Sequence, residues 1–205
     1  MKKKKILDVV FILDKSGSMA GSEDHTISSF NEYLESEKKN NFDTRITTVL
    51  FSNTYNYLYE RKLAKNVKPL TKKNYYVGGC TALYDALGNS INRLEQEGIE
   101  KALFIIITDG YENASKEYNK EIVSKLIKKH KEWEFIYIGA DIDSFAAGGD
   151  IGIKKDRIAS YRKDKKGTST LFKAVGMVEC AMMEDKGIDN SWKKELDSYI
   201  EKNKD

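Results

Sequence analysis

The 205 residues carry 35 basic and 32 acidic side chains, a formal net charge of +3 in a chain that is 33% charged. That length suffices for a sizeable core without disulfides or a structural metal, and so even a balance gives composition no voice for a nucleic-acid or membrane role. Two cysteines (Cys80, Cys180) and two histidines form neither a CxxC pair nor a zinc spacing, so the cysteines read as reduced thiols of a cytoplasmic protein. The basic start, Met1 to Lys5, leads into an apolar run interrupted by Asp8 with no small-residue cleavage site, unlike a signal peptide, and no segment has the length and hydrophobicity of a membrane span.

Ile6 to Leu13 is a nearly continuous β-branched and aliphatic run, the pattern of a strand buried on both faces of a parallel sheet. It ends in Asp14-Lys15-Ser16-Gly17-Ser18-Met19. After polar residues 20–26, Ile27, Phe30 and Leu34 recur at helical spacing to about Lys39, and Asn40-Asn41 stops that helix. Thr44 to Phe51 alternates as a strand, Ser52-Asn53 turns, and Tyr55 to Tyr59 returns as a hairpin partner, an antiparallel strand at a sheet edge. Arg61 to Lys73, lysine-rich and holding the one proline, Pro69, reads as a loop. Gly78-Gly79-Cys80-Thr81 delivers a threonine to the start of a helix with the stripe Leu83, Leu87, Ile91 and Leu94, ended by Gly98.

Lys101 to Thr108 is the most strand-like run and is expected at the centre of the sheet, stopping at Asp109-Gly110. Ile122, Leu126 and Ile127 mark a helix. Trp133 to Ile138 is a strand ending in Gly139-Ala140-Asp141, Ile142 to Gly148 a short helix or turn, and Arg157 to Tyr161 a last short strand. Thr168 is placed as the cap of a helix carrying Leu171, Phe172, Val175, Val178 and Met182. Trp192, Leu196, Tyr199 and Ile200 share one side of a terminal amphipathic piece. This alternation predicts an α/β fold: a doubly wound, mostly parallel sheet with one antiparallel edge strand and helices on both faces. No repeat, low-complexity tract or linker divides residues 1–205, which read as one domain with a core of about 6–186 and a helical extension over 187–205.

Five oxygen-bearing side chains stand where such a sheet binds ligands, beyond the carboxyl ends of its strands. Asp14, Ser16 and Ser18 follow the first strand, Asp109 follows the central one, and Thr81 precedes a helix. If the two strands are neighbours, these oxygens surround one point. Hard oxygen donors of this kind suit Mg²⁺, Mn²⁺ or Ca²⁺. Three hydroxyls and two carboxylates compensate little of a divalent charge, so the ion favours a carboxylate from outside; that argues for ligand capture over chemistry. Each piece alone has a plainer use: an Asx-type turn for Asp14, a helix cap for Thr81, a turn after a strand for Asp109-Gly110.

The ordered set, Asp-x-Ser-x-Ser after the first strand, Gly-Gly-x-Thr before a helix and Thr108-Asp109-Gly110 after a central strand, resembles the metal-ion-dependent adhesion site of von Willebrand factor A (VWA) domains, over roughly Ile6 to Tyr161. Tyr137 to Asp143 looks like bacterial and phage stand-alone members. The resemblance implies Ser16, Ser18 and Thr81 as hydroxyl ligands and Asp14 and Asp109 as direct or water-mediated ligands of Mg²⁺ (or Mn²⁺ or Ca²⁺). It further implies a non-enzymatic, metal-dependent protein-binding module whose partner supplies an Asp or Glu. Similar bacterial domains work as adaptors beside MoxR or chelatase-type AAA ATPases, which is the alternative; the chain has no GxxxxGK[ST] loop of its own. A metal-dependent hydrolase is a further alternative, opposed by the lack of a second metal cluster, of a base aimed at the site and of an Asp-x-Asp nucleophile pair of the phosphatase kind.

Other features have plainer readings. His25 and His130 read as solvated helix residues, and Cys80 as a small packed residue whose oxidation would disturb Thr81. The basic residues Arg61, Lys62, Lys65, Lys68, Lys72 and Lys73, and the second group Lys154, Lys155, Arg157, Arg162, Lys163, Lys165 and Lys166, read as solvated loop charge. Their functional alternative is a positive rim steering an acidic partner; no recognition motif supports nucleic acid.

Overall fold

Six strands make one sheet in the computed structural model, which describes residues 6–40 and 43–203. The basic start Met1 to Lys5 and Asn41 of the expected helix stop lie outside the described residues. The strands are β1 (Ile6–Asp14), β2 (Asp43–Phe51), β3 (Tyr55–Leu63), β4 (Ala102–Thr108), β5 (Glu134–Gly139) and β6 (Ile158–Ser160). Their order is β3-β2-β1-β4-β5-β6. β1 pairs in parallel with both β2 and β4, and β4–β5 and β5–β6 are parallel; β3 alone runs antiparallel, against β2. The chain leaves β1 towards one edge and resumes at β4 on its other side. The crevice beyond β1 and β4 is therefore the switch point at which open α/β sheets take ligands.

β1 is apolar without a break because both of its faces are covered. Leu7, Val9, Phe11 and Leu13 enter one core, Val10 and Ile12 the other. The first core is closed by α1 (Glu23–Lys39), α5 (Lys165–Met183) and α6 (Lys194–Lys202), the second by α2 (Leu83–Gln96) and α3 (Lys120–Lys129). A short α4 (Ser144–Asp150) follows β5. The Phe11 ring meets Phe30 at 5.2 Å and Tyr33 at 5.1 Å, both edge-on, contacts that add roughly 0.5–1.5 kcal/mol each beyond burial. Trp192 and Leu196 sit in the same core as Leu171, and the Trp192 indole N–H donates to the Asp156 carbonyl at 3.0 Å.

Several local expectations are corrected. α1 begins at Glu23, earlier than Ile27, with Glu23 and Asp24 in its first turn where carboxylates favour the helix dipole. β3 continues to Leu63, so Arg61 is a strand residue. It lies where the β2–β3 register shifts, with φ +42°, and its guanidinium reaches Asp8 at 2.7 Å and Glu97 at 2.6 Å. Asp8, buried within the apolar run of β1, needs that cation. α5 is capped by Asp164, whose side chain accepts from Gly167 N at 2.7 Å; Thr168 lies inside the helix, and Lys165 and Lys166 are helical too. His130 is not solvated: its ring stacks on Trp133 at 3.8 Å. Cys80 is exposed, not packed.

Where α1 and α5 pack, two buried carboxylates meet. Tyr33 OH and Thr44 Oγ1 each donate to Glu179 at 2.7 Å, and Asn40 Nδ2 donates to Glu37 at 2.8 Å. Burial, with the neighbouring Glu37 charge, pushes Glu179 up to about 8; Glu37 is raised by burial as well.

Candidate metal centre

The loop after β1 is fastened on several sides by main-chain bonds. Lys15 N donates to Phe51 O (2.8 Å), Gly17 N to Gly79 O (2.9 Å) and Gly78 N to Lys15 O (2.9 Å), which ties residues 15–17 to the glycine loop. Gly79 has φ +84°, a left-handed conformation in which a Cβ would strike the Asn53 side chain at 2.8 Å. Asn53 Oδ1 accepts the Cys80 N–H at 2.7 Å, and Asn113 Oδ1 accepts that of Thr81 at 2.9 Å.

These bonds leave the Thr81 hydroxyl free of the capping role. The N-cap of α2 is Ala82, without a side-chain cap bond. The first turn of α2 is served instead by Glu112, which accepts from Tyr84 N at 2.8 Å, and by Ser115 Oγ, which accepts from Asp85 N at 3.0 Å.

Asp14 closes β1 with its side chain buried. Its Oδ1 accepts from Ser16 N and its Oδ2 from Thr108 Oγ1, both at 2.6 Å. Burial holds this carboxyl above its ordinary range, opposed by the bonds from Thr108 and Ser16 and assisted by the Asp109 charge. Ser16 Oγ lies 3.0 Å from Ser18 Oγ, and Ser18 Oγ donates to Asp109 Oδ1 at 2.5 Å. Thr81 joins them from across the crevice: a Cβ on Gly110 would lie 2.9 Å from Thr81 Oγ1 and 3.3 Å from Ser18 Oγ. All five expected residues thus come to one place, with Gly110 beside two of the hydroxyls.

The donor set fits a hard divalent ion: oxygens only, from hydroxyls and carboxylates. Among the described residues there is no group of three or more His, Cys, Asp or Glu able to hold a metal, so any ion here relies on serine and threonine. One charge was missed in the sequence. Lys163, placed among solvated basic residues, sends its ammonium to Asp109 Oδ2 at 2.7 Å, Asp141 Oδ2 at 2.8 Å and Ser18 O at 3.1 Å. Burial alone would lower its pKa, but the bonds to Asp109 and Asp141 raise it. The available signal was position: Lys163 follows β6, at the same carboxyl ends as Asp14 and Asp109.

Residues 1–131 match the model of the family described as "VWA domain containing CoxE-like protein". Among solved structures, proximal thread matrix protein 1 from the mussel byssus, in a form with a zinc-occupied MIDAS motif, is 19% identical with a TM-score of 0.60, over 85% of this chain and 46% of that one. The ArnB paralog VWA2 from Sulfolobus acidocaldarius is 22% identical, TM-score 0.59, over 84% and 45%. The PilB minor pilin from Streptococcus sanguinis is 12% identical, TM-score 0.62, over 91% and 63%. The chain spans about half the length of the first two and under two thirds of the third. A search of curated proteins found no match.

Proposed function

Because the chain belongs to the family of VWA domain containing CoxE-like proteins, we propose that its 205 residues form one VWA-like domain acting as a non-enzymatic, divalent-metal-dependent protein-binding module. Asp14, Ser16, Ser18, Thr81 and Asp109 would hold the ion, with Mg²⁺ as the first choice and Mn²⁺ or Ca²⁺ as substitutes. When bound, the ion supplies an electrophilic position for a carboxylate oxygen of a partner's Asp or Glu. The observation that carries the reading is that the Ser18 and Thr81 hydroxyls, from loops far apart in the chain, both lie against Gly110, with Ser18 bonded to Asp109. The zinc-occupied MIDAS motif of the mussel protein supports a metal at the corresponding site.

The surroundings suit a protein surface. Tyr76 and Tyr111 flank the crevice and are 62% and 54% exposed; large aromatic side chains of this kind are enriched where proteins meet. Lys15 Nζ sits 4.2 Å over the Tyr76 ring, and Tyr111 OH accepts from Asp143 N at 2.9 Å, so both rings are held in place. No described helix is long and apolar enough to cross a membrane; a cytoplasmic setting is part of this proposal.

Calorimetric titration of Mg²⁺ and Mn²⁺ into the purified chain tests the reading. Uptake of one ion is expected, weakened about a hundredfold in Ser16→Ala, which is ~2.7 kcal/mol of binding. No uptake at millimolar metal would overturn it. Gly110→Ala is the sharper variant, since it keeps every donor. The added methyl presses on Thr81 Oγ1, so metal uptake is expected to fall by roughly tenfold or more, ~1.4 kcal/mol, with the thermal midpoint little changed. Retention of partners in a pull-down should be lost in chelator; retention indifferent to chelator would refute the module. A second reading, adaptor to a MoxR or chelatase-type AAA ATPase, draws its support from the CoxE-like match; metal-dependent co-purification with such an ATPase would favour it.

A further inference from the structure

The geometry points to Lys163 as a tethered competitor of the divalent ion, a built-in cation that lowers the metal affinity of the free protein. The inference rests on the metal reading above and adds a residue that the five-oxygen motif does not contain.

The Lys163 ammonium shares Asp109 with the proposed ion. It bonds Asp109 Oδ2 at 2.7 Å, while the other oxygen of that carboxylate accepts from Ser18 Oγ at 2.5 Å. It also takes the Ser18 carbonyl at 3.1 Å, so it touches two of the five candidate residues. The Asp109 side chain is fully buried and that of Lys163 only 22% exposed, so solvent screens this pair little. A second carboxylate, Asp141, holds the ammonium from the outside at 2.8 Å. Asp141 lies just beyond β5 with φ +54°, in the left-handed region.

The main chain next to this lysine is anchored. The next residue, Asp164, is fixed by Gly167 N at 2.7 Å and by Tyr199 OH at 3.1 Å. The main chain at Lys163 is therefore held where its ammonium can reach Asp109. A divalent ion must share Asp109 with the ammonium or push it aside towards Asp141. Both oppose uptake: like charges in a partly buried site repel, and a displaced lysine gives up short charge-assisted bonds.

Calorimetry on the full chain with Mn²⁺ and Mg²⁺ reads this out. Lys163→Met, and the uncharged Lys163→Gln as a second variant should Met impair folding, are expected to bind either ion about tenfold tighter than wild type. Lys129→Met, which removes an equal charge on α3, controls for net charge. In chelator, Lys163→Met is expected to melt below wild type, because Asp109 and Asp141 lose their shared cation, and added metal should reverse the order. Equal affinities in wild type and both variants would overturn the competitor role and leave the metal site standing. Weaker binding in the variants would overturn it too, making Lys163 a support for the site. If neither wild type nor the variants take up metal, and Ser16→Ala is indistinguishable from them, the metal reading itself fails and the inference falls with it.

Discussion

Asp14→Ala is expected to lower folding stability by about 2–4 kcal/mol and to abolish divalent-ion uptake, whereas Asp14→Asn should lose metal affinity while keeping most of the stability. The two oxygens of Asp14 are committed inside the protein, one to Ser16 N and one to Thr108 Oγ1. Alanine strands the buried Ser16 N–H, and an unmade buried bond costs about 1–3 kcal/mol; the small cavity adds the rest. Thr108 suffers less, since its hydroxyl has Gly110 O at 3.1 Å as another acceptor. An asparagine oxygen can still accept from Ser16 N, and its amide can donate to Thr108 Oγ1. What asparagine cannot supply is the negative charge. Urea unfolding of both variants beside calorimetric metal titration separates the contributions. An Asp14→Asn protein that binds Mn²⁺ as tightly as wild type would remove Asp14 from the ion's coordination.

Folding stability is expected to fall as pH rises from about 5.5 to 8.5, and Glu179→Gln should remove most of that slope. Glu179 is pushed up to about 8 by its burial and by Glu37, against about 4.3 in an unfolded chain. The folded state thus keeps a proton that the unfolded state releases. The contribution is complete below the unfolded value and is lost as pH passes the folded one. Above pH 8 the pair faces two buried charges, with Tyr33 and Thr44 as the donors on Glu179. At about 1.4 kcal/mol per pKa unit, and with the proton shared by the pair, the glutamine variant is expected to exceed wild type by about 2–3 kcal/mol at pH 8.5 and to approach it near pH 5. A wild-type minus variant difference that stays constant across this range would show that Glu179 is ionised throughout.

The five candidate ligands were legible because each is signalled locally. Asp14 and Asp109 end apolar runs, and Thr81 follows a glycine pair. Those runs also gave the sheet its parallel character, and Tyr55 to Tyr59 its antiparallel edge. Arg61 and Lys163 are misread because their partners lie far away in sequence, whereas His130 and Thr168 answer to near neighbours. Arg61 reads as a loop lysine-run neighbour until Asp8, 53 positions earlier, is seen to require it inside β3. Lys163 answers to Asp109, 54 positions before it. His130 is withdrawn from solvent by the Trp133 ring, and the helix cap assigned to Thr168 belongs to Asp164, whose competing capping signal lies four residues upstream. Cys80 is exposed, with its main-chain N–H donating to Asn53 Oδ1.

Both margins of the sheet are blunted. At one, β3 carries Glu60, Arg61 and Lys62 and loses register with β2 between Ile46 and Val49; at the other, β6 is three residues long. Among the described residues, an irregular strand at one margin and a very short one at the other disfavour growth of the sheet by strand addition. A visiting chain is better received at the loops in which the strands end.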